Sequence, residues 1–177
     1  MLSIFKRASI FFFVIAIGFS NHASAQKIFT ALIKKDIDYA KVFMEDVHPD
    51  LYACGIDFWG ISNYFTFYNN FPPQWKPYMA EINRRWGDVV SDSLLMYQVS
   101  PVFHVKNIKA PVFIGQSAND RRVVFQHSEQ MVEELKKYNK EYEYVLVEGE
   151  GHALTNEKKL IDLMTEVENF LAKHMQK

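Results

Sequence analysis

The chain has 177 residues, 49% of them hydrophobic and 23% charged, with 20 basic against 21 acidic side chains. That balance supports one globular domain with a sizeable core and excludes disordered, collagen-like and low-complexity chains, which need skewed composition. The near-zero net charge excludes the basic excess of a dedicated nucleic-acid binder, and the single cysteine, Cys54, excludes an intrachain disulfide or a zinc site built on paired cysteines.

The first segment reads as an address. Lys6 and Arg7 precede an apolar run from Ile10 to Phe19, and Ala23-Ser24-Ala25 follows. A positive start, a short apolar stretch and small residues at the end are the layout of a secretory signal. The run is short against the roughly 20 residues a membrane-spanning helix needs. The expectation is a cleaved leader over residues 1–25, no stable membrane anchor afterwards, and export to the periplasm or exterior. Residues 26–177 are then a single domain.

Leu32 to Val47 carries Ile33, Ile37, Ala40, Phe43, Met44 and Val47 at helical spacing. His48-Pro49-Asp50 stops that helix, and Leu51 to Ile56 reads as a buried strand. From Asp57 to Trp86 there are ten aromatics, interrupted by Pro72-Pro73 and Pro77, which suggests short helices with irregular joints whose aromatics serve either as core packing or as an apolar wall for a substrate side chain. Pro111 to Gly115 is a buried strand, Ser117 to Arg122 a polar turn, and Val124 to Tyr138 a helix with Val124, Met131, Leu135 and Tyr138 inward. Tyr142 to Val147 is another strand, Gly149-Glu150-Gly151-His152 a tight turn, and Asn156 to His174 a helix with Leu160, Met164, Val167 and Leu171 inward. Strand and helix alternating at this spacing predict an α/β fold with a mainly parallel sheet.

In such sheets functional groups gather beyond the carboxyl ends of the strands. Asp120 follows the first of the two later strands and His152 follows the second, inside a glycine-rich turn. An acid that orients an imidazole base needs this juxtaposition, and the order Asp then His matches the last two members of a Ser, Asp, His triad. Their catalytic roles are the expectation, with neighbouring Glu148 and Glu150 able to influence His152. His104 and His127 lack metal-like spacing and read as structural. Arg84 and Arg85 read as solvated rather than as substrate clamps, and Arg121 and Arg122, next to Asp120, stay open between supporting that loop and a plain surface role. His174 reads as a solvated tail. No cofactor is expected.

Several motifs, in order, carry a family resemblance. They are Pro49-Asp50-Leu51-Tyr52-Ala53-Cys54-Gly55-Ile56-Asp57, Trp59-Gly60-Ile61-Ser62-Asn63, Phe71-Pro72-Pro73 and Ser100-Pro101-Val102-Phe103-His104-Val105. Ile108-Lys109-Ala110-Pro111, Ala118-Asn119-Asp120 and Glu150-Gly151-His152 complete the set. From about Tyr39 onward the chain resembles the C-terminal part of the catalytic domain of the prolyl oligopeptidase family of serine peptidases, its acylaminoacyl-peptidase and dipeptidyl-peptidase-like branches above all. The resemblance implies an α/β-hydrolase fold with Asp120 as triad acid and His152 as triad base.

It also implies a serine on a Gly-x-Ser-x-Gly elbow about twenty residues ahead of the Leu51 strand, near Lys35. Between Gln26 and Asp50 there is no serine, cysteine or glycine. Ser117, in Gly115-Gln116-Ser117, and Ser62, in Gly60-Ile61-Ser62, lack the second glycine, and Lys35 lies on a polar helix face where solvation keeps it protonated. The expectation is therefore a truncated α/β-hydrolase without a nucleophile, inactive alone, which would act on a peptide substrate if complemented. The alternatives are a non-catalytic exported binding module, or one half of a split hydrolase. Either would use the Leu51 to Ile56 strand, as an exposed sheet edge, for self-association or for a partner chain.

Overall fold

The structure is a computed structural model, and residues 53–175 are the ones it describes. The expected leader, the Leu32–Val47 helix and the elbow position near Lys35 lie outside them.

Strand β1 is Gly55–Phe58, β2 is Val112–Ser117 and β3 is Tyr142–Val147. They form one parallel sheet in the order β1-β2-β3, with Gly55 opposite Val112 and Val112 opposite Tyr142. The first strand thus lies later than the Leu51–Ile56 run suggested. Its carboxyl end admits Asp57, a polar residue that hydropathy alone discards. Likewise Ser117, expected in the turn, is the last residue of β2 and fully buried. Register explains one glycine: Phe58 pairs with Gly115, and a Cβ on Gly115 would meet the Phe58 ring at 2.6 Å.

Between β1 and β2 run three short helices, α1 (Tyr64–Asn69), α2 (Met79–Trp86) and α3 (Ser93–Gln98), with 3-10 segments at Pro73–Tyr78 and Pro101–Asn107. Asn63 starts α1 by accepting from the backbone N–H groups of Phe65 and Thr66. The aromatics of this excursion pack on each other, as the core reading expects: Ile61, Phe67, Tyr68, Phe71, Met96 and Val123 form a buried cluster edged by Trp75 and Trp86. Phe67 and Phe71 meet edge-on at 4.8 Å between ring centres.

Helix α4 (Gln126–Lys137) connects β2 to β3, and α5 (Glu157–His174) follows β3. One face of the sheet packs on α5 through Cys54, Ile56, Phe113, Val147, Leu163, Val167 and Phe170. The other meets α4 and the second 3-10 segment through Val105, Ile108, Val112, Ile114, Met131, Val132 and Leu135. The buried stripe of α5 differs in phase from the sequence reading: Leu160 and Met164 are exposed, and Leu163 and Phe170 take their place. Tyr138, expected inward, is exposed just past the end of α4. His174 is no solvated tail; its side chain is largely covered, 4.6 Å from the Phe170 ring and 3.6 Å from Glu141.

Candidate active site

Both predicted site residues stand at the carboxyl ends of neighbouring strands. The hydrogen-bond ladder between β2 and β3 continues beyond the strand ends toward them: Ala118 N–H donates to the Val147 carbonyl at 3.0 Å and Asn119 N–H to the Glu150 carbonyl at 2.9 Å. The turn after β2 then closes on Asp120. Its Oδ1 accepts from the backbone N–H groups of Arg122 at 2.8 Å and Val123 at 3.0 Å, the local bonding that suits Asp to turns. The Val123 carbonyl accepts from the buried Gln116 side chain at 2.7 Å, so the turn is gripped from both sides.

Asp120 Oδ2 lies 2.8 Å from His152 Nδ1. The Asp120 side chain is 0% exposed and that of His152 is 34% exposed. A buried carboxylate on Nδ1 fixes the ring's orientation and favours the tautomer whose Nε2 can accept a proton. Solvent reaches the imidazole but not the acid.

Trp59, directly after β1, completes the neighbourhood. Its backbone is in the left-handed region at φ 52°, a conformation unusual for a bulky residue and frequent at functional sites. Its N–H is held by the Gly115 carbonyl at 3.1 Å, its indole N–H donates to Ser117 Oγ at 2.8 Å, and its ring is 6.3 Å from that of His152. The sequence contains a Trp here without any signal that it lies beside His152; register alone brings it there.

Ser117 Oγ is thus buried and engaged by an indole, and Ser62 Oγ donates to the His127 carbonyl at 2.6 Å. Neither hydroxyl is brought to His152 by these bonds. Glu150, next to the site in sequence, is buried and turned to other partners: its carboxylate accepts from Thr155 N–H at 2.8 Å and faces Lys159 Nζ at 3.3 Å. The Thr155 N–H, ahead of the other donors, holds its carboxyl below the usual range. His127 is fully buried without hydrogen bonds to its ring nitrogens, and burial pushes its pKa down to about 4. Arg84 and Arg85 are exposed and both pair with Glu81.

Two clefts flank the pair. One of about 430 Å³ is lined by Asp120, Arg121, Val124 and Phe125, and another of about 420 Å³ by Asn119, Arg121, Arg122, His152 and Thr155. Among the described residues no group of three or more His, Cys, Asp or Glu side chains is placed to hold a metal ion. No helix among them is long and apolar enough to cross a membrane.

A parallel sheet flanked by helices, with an Asp–His pair at its carboxyl edge, defines the chain as α/β-hydrolase-like. Solved structures agree on the fold. An acylaminoacyl peptidase bound to a chloromethyl ketone superposes with a TM-score of 0.64 over 80% of this chain and 22% of its own, at 20% identity. An acylaminoacyl peptidase of Pyrococcus horikoshii gives 0.64 over 72% of this chain and 21% of its own, at 23% identity. In sequence the chain is 35% identical over 126 residues to dipeptidyl aminopeptidase BIII of Pseudoxanthomonas mexicana, covering 70% of this chain and 18% of that protein. The sequence model of the prolyl oligopeptidase family matches residues 39–177, and the chain belongs to that family. It spans under a fifth of the length of the curated relatives it matches, 18% and 17%.

Proposed function

We propose that this chain carries the acid and base of a serine-peptidase relay and performs no acyl transfer by itself. Asp120 orients and stabilises the imidazole; His152 Nε2 would take the proton of an attacking hydroxyl and return it to the leaving amine. The single observation that carries this reading is the 2.8 Å bond between a fully covered Asp120 and a partly exposed His152. No Gly-x-Ser-x-Gly occurs anywhere in the sequence, and the two serines nearest that pattern are tied to Trp59 and to the His127 carbonyl. A base without a nucleophile has nothing to activate.

On this reading a peptide becomes a substrate when another chain supplies the elbow. Support comes from β1, which pairs with β2 on one side and, among the described residues, with no strand on the other. The Lys6-Arg7, apolar and Ala23-Ser24-Ala25 pattern supports export as the setting. The test is a fluorophosphonate probe applied to the full chain. No covalent adduct is expected by intact-mass measurement, and a stoichiometric adduct on any serine would overturn the claim of inactivity.

A further inference from the structure

Resting on the reading of Asp120 and His152 as acid and base, we propose that Glu150 is the positioning residue that sets His152 against Asp120. His152 sits in the loop from Gly149 to Asn156, outside any helix or strand, with glycine on both flanks of Glu150. Such a loop has no ladder of its own to fix it, and its glycines widen the backbone freedom to be lost. Glu150 supplies the missing constraints at three points.

Its carbonyl accepts from Asn119 N–H at 2.9 Å, which ties the histidine loop to the residue preceding Asp120. Its carboxylate Oε2 reaches across the histidine to Thr155, accepting from the backbone N–H at 2.8 Å and from the hydroxyl at 3.1 Å. The segment from 150 to 155 is thereby closed into a ring with His152 inside it. The other oxygen, Oε1, lies 3.3 Å from Lys159 Nζ, and the same ammonium donates to the Glu148 carbonyl at 2.6 Å. Lys159 belongs to the first turn of α5, whose N-cap Asn156 accepts from its backbone N–H. One residue therefore joins the acid's loop through its backbone carbonyl, and through its side chain joins the far end of the base's loop to the helix that packs under the sheet.

Burial makes the arrangement costly to leave unpaired. The Glu150 side chain is 6% exposed, and a carboxylate so covered requires the donors it has. Nothing in these contacts touches the reacting position, so the role is to hold His152 rather than to react.

The readout is the exchange with water of the His152 Nδ1 proton, followed by NMR of the full chain through its deshielded resonance, which Asp120→Asn identifies by abolishing it. Glu150→Ala is expected to speed that exchange by about tenfold or more, as loss of hydrogen bonds to a charged group implies, while the amide signals of α4 stay in place. Glu150→Gln is expected to restore most of the protection, because its amide oxygen can still accept from Thr155. Unchanged exchange in a folded Glu150→Ala would overturn the proposal. If that variant does not fold, Lys159→Met and Thr155→Val each remove one partner of the carboxylate. Each is expected to speed exchange about two- to fivefold, and no change in either overturns the proposal. Absence of the resonance from the parent chain would instead overturn the Asp120–His152 pairing itself, a separate failure.

Discussion

The two faces of the sheet treat buried polar groups differently. Toward α5 the buried side chains run apolar from Cys54 and Ile56 through Phe113 to Val147, and the one polar strand residue buried there, Ser117, has its hydroxyl bonded by the Trp59 indole. Toward α4 the pattern begins the same way, with Val112 and Ile114, and then changes as the strands reach their carboxyl ends. Asp57 shares that face through its register partner Ile114, and Gln116 follows Ile114 by two residues. His127 and Ser128 lie buried in the first turn of α4, and with Gln116 they leave side-chain polar atoms unpaired. One face is a dry core. The other gives up some stability toward the end that holds Asp120, in line with unpaired buried groups concentrating near functional sites.

The sharpest way to break this contrast is to open the dry face. Phe170→Ala empties a side chain that is 1% exposed and should cost about 3–5 kcal/mol in urea unfolding. A loss under about 1 kcal/mol would mean that this face is not the main core.

The polar face should instead answer to pH. His127 has its pKa pushed down to about 4 from 6.5 by burial, so the unfolded chain binds the proton first. Stability from the neutral ring is present above about 6.5 and is lost as pH falls toward 4, by about 2–3 kcal/mol. His127→Leu should lack this loss, so its stability difference between pH 7 and pH 4.5 shrinks by that amount. An identical acid dependence in variant and parent would assign the loss to other groups.

Asp57 works in the opposite sense. Burial raises its pKa from 3.8 to about 6, so its protonated form favours the folded state. That contribution is complete below 3.8 and disappears as pH rises through about 6. Gly60 makes room for the carboxylate, since a Cβ there would lie 2.2 Å from Oδ1. Asp57→Asn should therefore be more stable than the parent at pH 8, by about 2–3 kcal/mol, and equal to it near pH 4. Equal melting at pH 8 would show that the carboxylate is not penalised there.

The same contrast explains what could be read from the sequence. Apolar strands with clear ends, such as Tyr142–Val147, and the order Asp120 then His152 were legible because hydropathy and strand–helix alternation encode them. Helix α5 was legible as a helix but not in its phase. Leu160, Ile161, Leu163, Met164, Val167, Phe170 and Leu171 make a stripe wider than the sheet covers, and only packing selects Leu163, Val167 and Phe170. The polar end of β2 was lost because Gln116 and Ser117 look like turn residues until Val123 and Trp59 supply their bonds. Trp59 beside His152, and the grip of Glu150 on Thr155, are products of register and loop closure, which no local pattern announces.

The bonds from Ala118 to Val147 and from Asn119 to Glu150 carry one last consequence. They prolong strand pairing into both loops, so the backbones that carry Asp120 and His152 leave the sheet at the pitch of neighbouring strands, about 4.8 Å, which their side chains bridge. The pair is then a fixed gauge: on the proposed reading, a reactive group supplied by another chain would have to come to an imidazole already held by Asp120.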